Sequence, residues 1–145
     1  MNLKLEYKKA SESDLDFLLD LRMKTMNLHY ANSNLPTTRE TTLQRVLYQF
    51  EKANIIILND EPAGLLKIDR NADKIDILQL QIDPILQGKG IGKAILEDII
   101  EEASKAQKPV LLSVLKTNKA QKLYFSLGFK IIDEDEHSYF MKFST

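Results

Sequence analysis

The run "DPILQGKGIGKAILEDII", residues 83–100, constrains this chain most: it sets three of the five glycines, Gly88, Gly90 and Gly92, directly before an apolar helical pattern. Ile91, Ala94, Ile95, Ile99 and Ala103 recur at helical spacing and predict a helix from Gly90 to Ala106. The next segment, "VLLSVL" (Val110 to Leu115), is a continuous apolar run that fits a strand covered on both faces, so the helix before it is a crossover packed on a sheet. The glycines therefore sit at the mouth of a strand-loop-helix unit. There the free N–H groups of the first helical turn and the positive end of the dipole make a site for a phosphate or pyrophosphate. Glycine leaves those amides bare and adopts positive φ at low cost.

Upstream, "LKLEY" (Leu3 to Tyr7) alternates as a half-buried strand does. Ser11 or Ser13 then caps a helix whose stripe is Leu15, Leu18, Leu19, Arg22 and Met26. "HYANSNLP" (His29 to Pro36) reads as a loop, and Thr37 with Glu40 reads as a capping box opening a helix faced by Leu43, Val46, Leu47 and Phe50. "NIIIL", the turn "NDEP" and "AGLLKID" make an antiparallel pair. "KIDILQLQID" is a long strand whose alternation breaks near Leu78, as a bulge would cause. Downstream of "VLLSVL" come a helix from Asn118 to Leu127, a left-handed cap at Gly128 with an apolar contact from Phe129, and the strands "FKIID" and "SYFMKF" around the turn "EDEH". The expectation is an α/β (α+β) chain with a mixed sheet of about six to seven strands, antiparallel in its first half and crossing over through helices in its second. Four helices flank it, and residues 1–145 are expected to form a single domain.

Lys and Arg number 20 against 21 Asp and Glu, so a net charge of -1 supplies no field that would gather a polyanion, and nucleic acid is not an expected partner. With no cysteine there are no disulfides, thiolate metal sites or cysteine nucleophiles. The N-terminal segment lacks a signal peptide's apolar core, and no run approaches the roughly 20 apolar residues of a membrane span. A soluble, cytoplasmic protein without membrane or metal is the expectation.

Two familiar phosphate loops fail on spacing. A Walker loop needs four residues before its Gly-Lys and a hydroxyl after it, whereas only three residues separate Gly88 from Gly92 and Ala94 stands at the hydroxyl position. A dinucleotide fingerprint wants a glycine where Lys93 stands and an acid where "VLLSVL" gives way to Lys116. The pattern that is met is Gln/Arg-x-x-Gly-x-Gly/Ala, by Gln87, Gly90 and Gly92. It resembles the acetyl-CoA loop of the GNAT family of N-acetyltransferases. "LQLQIDPILQGKGIG" resembles that family's strand-Pro-loop-helix segment, and "NKAQKLYFSLGF" (Asn118 to Phe129) its second signature, in the family's order. The resemblance is strongest from Leu78 to Phe129 and weak before residue 50.

That resemblance implies the acyl-CoA N-acyltransferase fold, with the fourth and fifth strands parallel and splayed. It also implies backbone groups of Leu80, Gln81 and Ile82 bonded to the pantetheine arm, and a pyrophosphate on the amides of Gln87, Gly88, Lys89, Gly90, Ile91 and Gly92. Lys89 or Lys93 either adds charge there or is a solvated helix end. Asn118 holds the cofactor arm, caps its helix, or does both. Tyr124 is the implied acid for the departing thiolate, although Ala120, Leu123, Tyr124 and Leu127 share a helical face on which an aromatic is usually core. The base is open: the fourth strand carries Gln79 and Gln81 where many members carry Glu, leaving His137, Asp76, Asp83, His29 or a water relay.

The implied reaction is direct attack of a primary amine, on a small molecule or a protein, on acetyl-CoA in a ternary complex. The alternatives are a non-catalytic acyl-CoA-binding or sensing module of the same fold, and a different acyl donor or an oxygen acceptor. The acceptor pocket implied by the family lies at "HYANSNLP" and "DEDEH", where Asp133 to Glu136 either attract a cationic amine or form a solvated turn. A monomer or homodimer fits either reading.

Overall fold

The computed structural model describes residues 4–144, with the backbone alone for residues 27–29. Its strands are β1 (Leu5–Lys9), β2 (Ala53–Leu58), β3 (Glu61–Arg70), β4 (Ile75–Ile82), β5 (Val110–Leu115), β6 (Lys130–Glu134) and β7 (Ser138–Phe143). The helices are α1 (Leu15–Thr25), α2 (Asn27–Asn32), α3 (Arg39–Leu47), α4 (Ile91–Ala106) and α5 (Gln121–Ser126). The strands make a mixed sheet of seven in the order β1-β2-β3-β4-β5-β7-β6, as the α/β reading expects. Contacts gather into two compact units, one running from β1 to Lys67 together with Gln79–Ile91, the other comprising Ile68–Leu78 and Gly92 to β7.

In the first unit β1 lies antiparallel to β2, Leu5 opposite Leu58. Asn59 and Asp60, both left-handed (φ 50° and 70°), close the β2–β3 hairpin, a conformation whose twist matches the strands it joins. Ile56 pairs with Gly64 and Ile57 with Pro62, so Ala63 is skipped and bulges. The bulge expected near Leu78 is unnecessary. Ile75, Ile77 and Gln81 are buried and Gln79 is half-buried, so the odd-numbered positions keep to one face past Leu78 and that face includes glutamines.

The helices of this unit bury Leu18, Leu19, Leu21 and Val46 against Ala53, Ile55 and Leu65, with Phe17, Leu43 and Phe50 packed around them. Ser11 precedes the first helical turn, its N–H donating to the Asp14 carboxylate at 2.9 Å. The α3 cap is Thr38, which accepts the Thr41 N–H at 3.2 Å, one residue later than the expected Thr37. Where a loop was expected from His29, α2 is helical to Asn32. Six residues span less than two turns, too few for an apolar period to show. Tyr30 is held there by tertiary contacts: the Arg45 guanidinium sits 3.8 Å over its ring and Arg22 Nη2 donates to its hydroxyl.

Lys67 on β3 is fully buried, its ammonium donating to the carbonyls of Val46 (2.7 Å), Arg45 (3.1 Å) and Tyr48 at the C-terminal end of α3. Those carbonyls have no helical partner and carry the negative end of the dipole, so a cation from the neighbouring strand closes the helix. Burial, with Arg22's charge nearby, pushes Lys67 down to about 8.

In the second unit β4 and β5 run parallel, Ile75 to Ile77 opposite Val110 to Leu112, and β5 pairs antiparallel with β7 along its length. Ile95, Leu96, Ile99 and Ala103 of α4 are buried, the face its sequence period selects. Gly128 (φ 103°) ends α5: its N–H donates to Phe125 O at 3.1 Å and that of Phe129 to Tyr124 O at 3.0 Å. This pair of bonds is the Schellman cap expected of Gly128, with Phe129 as its apolar contact.

Candidate functional site

The loop between β4 and α4 is built by local bonds. Asp83 accepts the Ile85 N–H at 3.2 Å, with Pro84 opening a short 3-10 turn over Pro84–Leu86. Gln87 then returns its side-chain Nε2 to Ile82 O at 3.0 Å, tying the loop to the end of the strand. Sequence reading placed Gln87 in a motif but not in this bond, and the bond occupies an Ile82 carbonyl that the resemblance offered to the cofactor arm. Gly88 and Gly90 take φ of 78° and 81°, and a Cβ built on either meets no atom within 4 Å. Residues Gln87 to Gly90 are exposed, while Ile91, at 1% exposure, anchors the helix start. A Cβ on Gly92 would lie 3.8 Å from Leu123, an ordinary contact, in keeping with a motif position open to Gly or Ala. Lys89 and Lys93 are exposed.

At the end of β4 the backbone alternates between its two edges. The Asp83 N–H donates to Ala63 O at 2.8 Å, and the Gln81 carbonyl lies 2.2 Å from where a Gly64 Cβ would stand, so both face β3. Leu80 and Ile82 therefore turn their backbone groups to the opposite edge, while Gln81 is turned away from it. The Gln79 amide donates to Arg45 O at 3.2 Å. Asp83 is the cap described above, and Asp76 lies 3.5 Å from Lys74. The side chain of His29 lies outside the described residues.

In the second unit the Asn118 carboxamide oxygen accepts the Ala120 N–H at 2.9 Å, so Asn118 forms the turn into α5. Gln121, absent from the sequence reading, donates to Leu115 O at 3.2 Å and Lys116 O at 2.9 Å, fixing the helix to the end of β5. The Tyr124 ring stands edge-on to Phe129 with centroids 5.9 Å apart, and burial pushes its hydroxyl up to about 12. His137 donates its N–H to Asp135 at 2.9 Å and sets its imidazole 3.7 Å from Glu136. In the acidic turn, Glu134 pairs with Lys116 at 3.0 Å, Asp133 accepts the Glu134 N–H and Asp135 accepts the N–H groups of His137 and Ser138. Three of its four carboxylates thus engage Lys116 or backbone N–H groups, and the fourth, Glu136, faces His137.

The glycine loop, Asn118 and Tyr124 fall within a single match of the chain, residues 30–143, to the model of the acetyltransferase (GNAT) domain. The chain belongs to the GNAT acetyltransferase family. GNAT architecture is also found among solved structures. The PaiA N-acetyltransferase of Thermoplasma acidophilum, in complex with coenzyme A, is similar with a TM-score of 0.75 at 21% identity, covering 98% of this chain and 99% of that one. The ribosomal-protein-S18-alanine N-acetyltransferase of Escherichia coli is similar with a TM-score of 0.66 at 21% identity, over 97% and 93% of the two chains. Arabidopsis thaliana Naa50, bound to a bisubstrate analogue, is similar with a TM-score of 0.63 at 18% identity, over 97% and 99%. At these identities the likeness is one of fold, and the fold is the GNAT fold.

Proposed function

We propose that this GNAT chain, acting as a single domain, transfers the acetyl group of acetyl-CoA to a primary amine of a small molecule or protein. The observation that carries the proposal is the loop from Gln87 to Gly90, exposed, left-handed at both glycines and free of any atom where a Cβ would project, leading into the N-terminus of α4. Bare amides at a helix start suit the diphosphate of coenzyme A, and a related fold is known with coenzyme A bound.

In this reading Gly88, Lys89, Gly90, Ile91 and Gly92 hold the diphosphate, Gln87 shapes the loop because its N–H already donates to Pro84 O at 3.2 Å, and Leu80 offers backbone groups to the pantetheine arm. The Ile82 N–H stabilises the oxyanion that forms when the amine adds to the thioester carbonyl. Asn118 sets the turn that starts α5, and the Tyr124 phenol is the group assigned to the departing sulfur. With Tyr124 near 12 and a thiol ordinarily near 8.5, full proton transfer is uphill by about three orders of magnitude. Tyr124 therefore acts as a hydrogen-bond donor to the thiolate. The amine's proton leaves through water or through His137, since Gln79 and Gln81 cannot accept it.

Free thiol appearing from acetyl-CoA over a panel of primary amines tests this; heat from acetyl-CoA without thiol release would favour the binding-module reading, which the glutamines on β4 support. The protein is proposed to be cytoplasmic.

A further inference from the structure

We infer that the first unit carries a subsite for an acceptor that bears a carboxylate beside its amine, built from Arg22, Gln79 and Gln81; this rests on the acetyl-transfer reading above. Arg22 lies on the inward stripe of α1 and is 3% exposed. Its Nη2 bonds the Tyr30 hydroxyl, yet Nε and Nη1 are buried without a hydrogen-bond partner. On β4, Gln79 Oε1 and Gln81 Oε1 are buried and without a partner in the same way.

Burying such groups unpaired is costly, so native proteins keep few of them and each one calls for a partner. Charge sharpens the point. An arginine keeps its charge in a protein, and the charged side chains acting on Arg22 from neighbouring elements are Arg45 and Lys67, both cationic. Lys67 has already given its donors to α3. The unit thus presents orphan donors with surplus positive charge on α1 and orphan acceptors on β4, and the two sets do not satisfy each other.

A group that satisfies both must bring negative acceptors to Arg22 and donors to the glutamines. A carboxylate and an amine on one small molecule do so. Gln79 and Gln81 project from one face of β4 and lie two residues apart, next to Ile82. A carboxamide oxygen accepts from an amine N–H without removing its proton, which directs the nitrogen lone pair away from the strand. Buried water is the rival occupant, since it too both donates and accepts.

Matched acceptors decide between them: L-lysine against cadaverine, L-phenylalanine against phenethylamine, and β-alanine against ethylamine. The members of each pair differ by one carboxylate. For at least one pair, kcat/KM for thiol release is expected to favour the carboxylated amine by about tenfold or more, as a charge-assisted bond would give. In Arg22→Gln that ratio falls to within about twofold, chiefly through KM, and Arg22→Lys restores part of it. Because Arg22 variants can unfold, calorimetry on the wild-type protein supplies a second readout: heat from the carboxylated member and none from its partner. No preference in any pair, by turnover or by heat, overturns the subsite and leaves water in its place. Thiol release without preference removes the subsite alone; absence of acetyl-CoA binding removes the acetyl-transfer reading, and the calorimetric comparison still decides the subsite.

Discussion

Tyr124 and Phe129 are joined twice: the Tyr124 carbonyl accepts the Phe129 N–H at 3.0 Å, and the two rings meet edge to face with centroids 5.9 Å apart. The helix cap thereby fixes the backbone and the ring of Tyr124 together, leaving only the hydroxyl to be accounted for. Tyr124→Phe keeps both contacts, so the thermal midpoint should stay within about 2 °C. Thiol release should fall about tenfold to a hundredfold with acetyl-CoA affinity nearly unchanged, read by steady-state kinetics and calorimetry. Equal turnover would return Tyr124 to the core.

Burial raises Tyr124 from its ordinary value near 10 to about 12. A phenol raised in the folded state stays protonated while the unfolded one ionises, so its contribution to stability is complete below pH 10 and is lost as pH rises from 10 towards 12. The wild-type rate profile should show no alkaline loss that is absent from Tyr124→Phe below about pH 11.

Gly64 should tolerate no side chain. A Cβ there would stand 2.2 Å from the Gln81 carbonyl oxygen and 3.2 Å from Ile82 Cα, both backbone atoms that cannot step aside. Gly64→Ala is expected to lose about 2–3 kcal/mol in denaturant unfolding, whereas Gly92→Ala, with only Leu123 nearby, should be neutral or slightly stabilising. Gly88→Ala and Gly90→Ala meet no neighbour and should cost only the left-handed strain, about 1 kcal/mol each.

Lys67→Met removes the cation that closes α3 and takes its donors from the Val46 and Tyr48 carbonyls, while Arg45 O keeps the Gln79 amide. A loss of about 3 kcal/mol is expected from denaturant titration at neutral pH. Because burial lowers Lys67 to about 8 from 10.5, the unfolded chain binds more protons between those values. Wild-type stability should therefore rise relative to Lys67→Met across that pH window.

The sequence made some of this visible and hid the rest for physical reasons. Alternation and helical period identified each strand and the long helix, and Gly128 followed by Phe129 announced the cap that the structure contains, because each of those signals is local. Arg22 already stood in the apolar stripe of α1, which is where it is buried. Lys67 was illegible: a lone lysine in a strand looks like a solvent-facing residue until the carbonyls of α3, some twenty residues earlier, are brought to it. Gln79 and Gln81 imitated a break in β4 because polar residues on an inward face defeat a count of apolar ones. The α2 helix was missed because Tyr30 is held by two arginines rather than by an apolar repeat. The Gln87 to Ile82 bond depends on how the loop turns back, which residue types do not encode by themselves.

The loop itself offers the most direct measurement, since its glycine amides can be observed one by one by nuclear magnetic resonance. Titrating the protein with coenzyme A, and separately with adenosine diphosphate and with pantetheine, should move the Gly88, Gly90 and Gly92 resonances for the first two ligands and leave them nearly still for the third. Resonances that stay fixed under saturating coenzyme A would contradict the account.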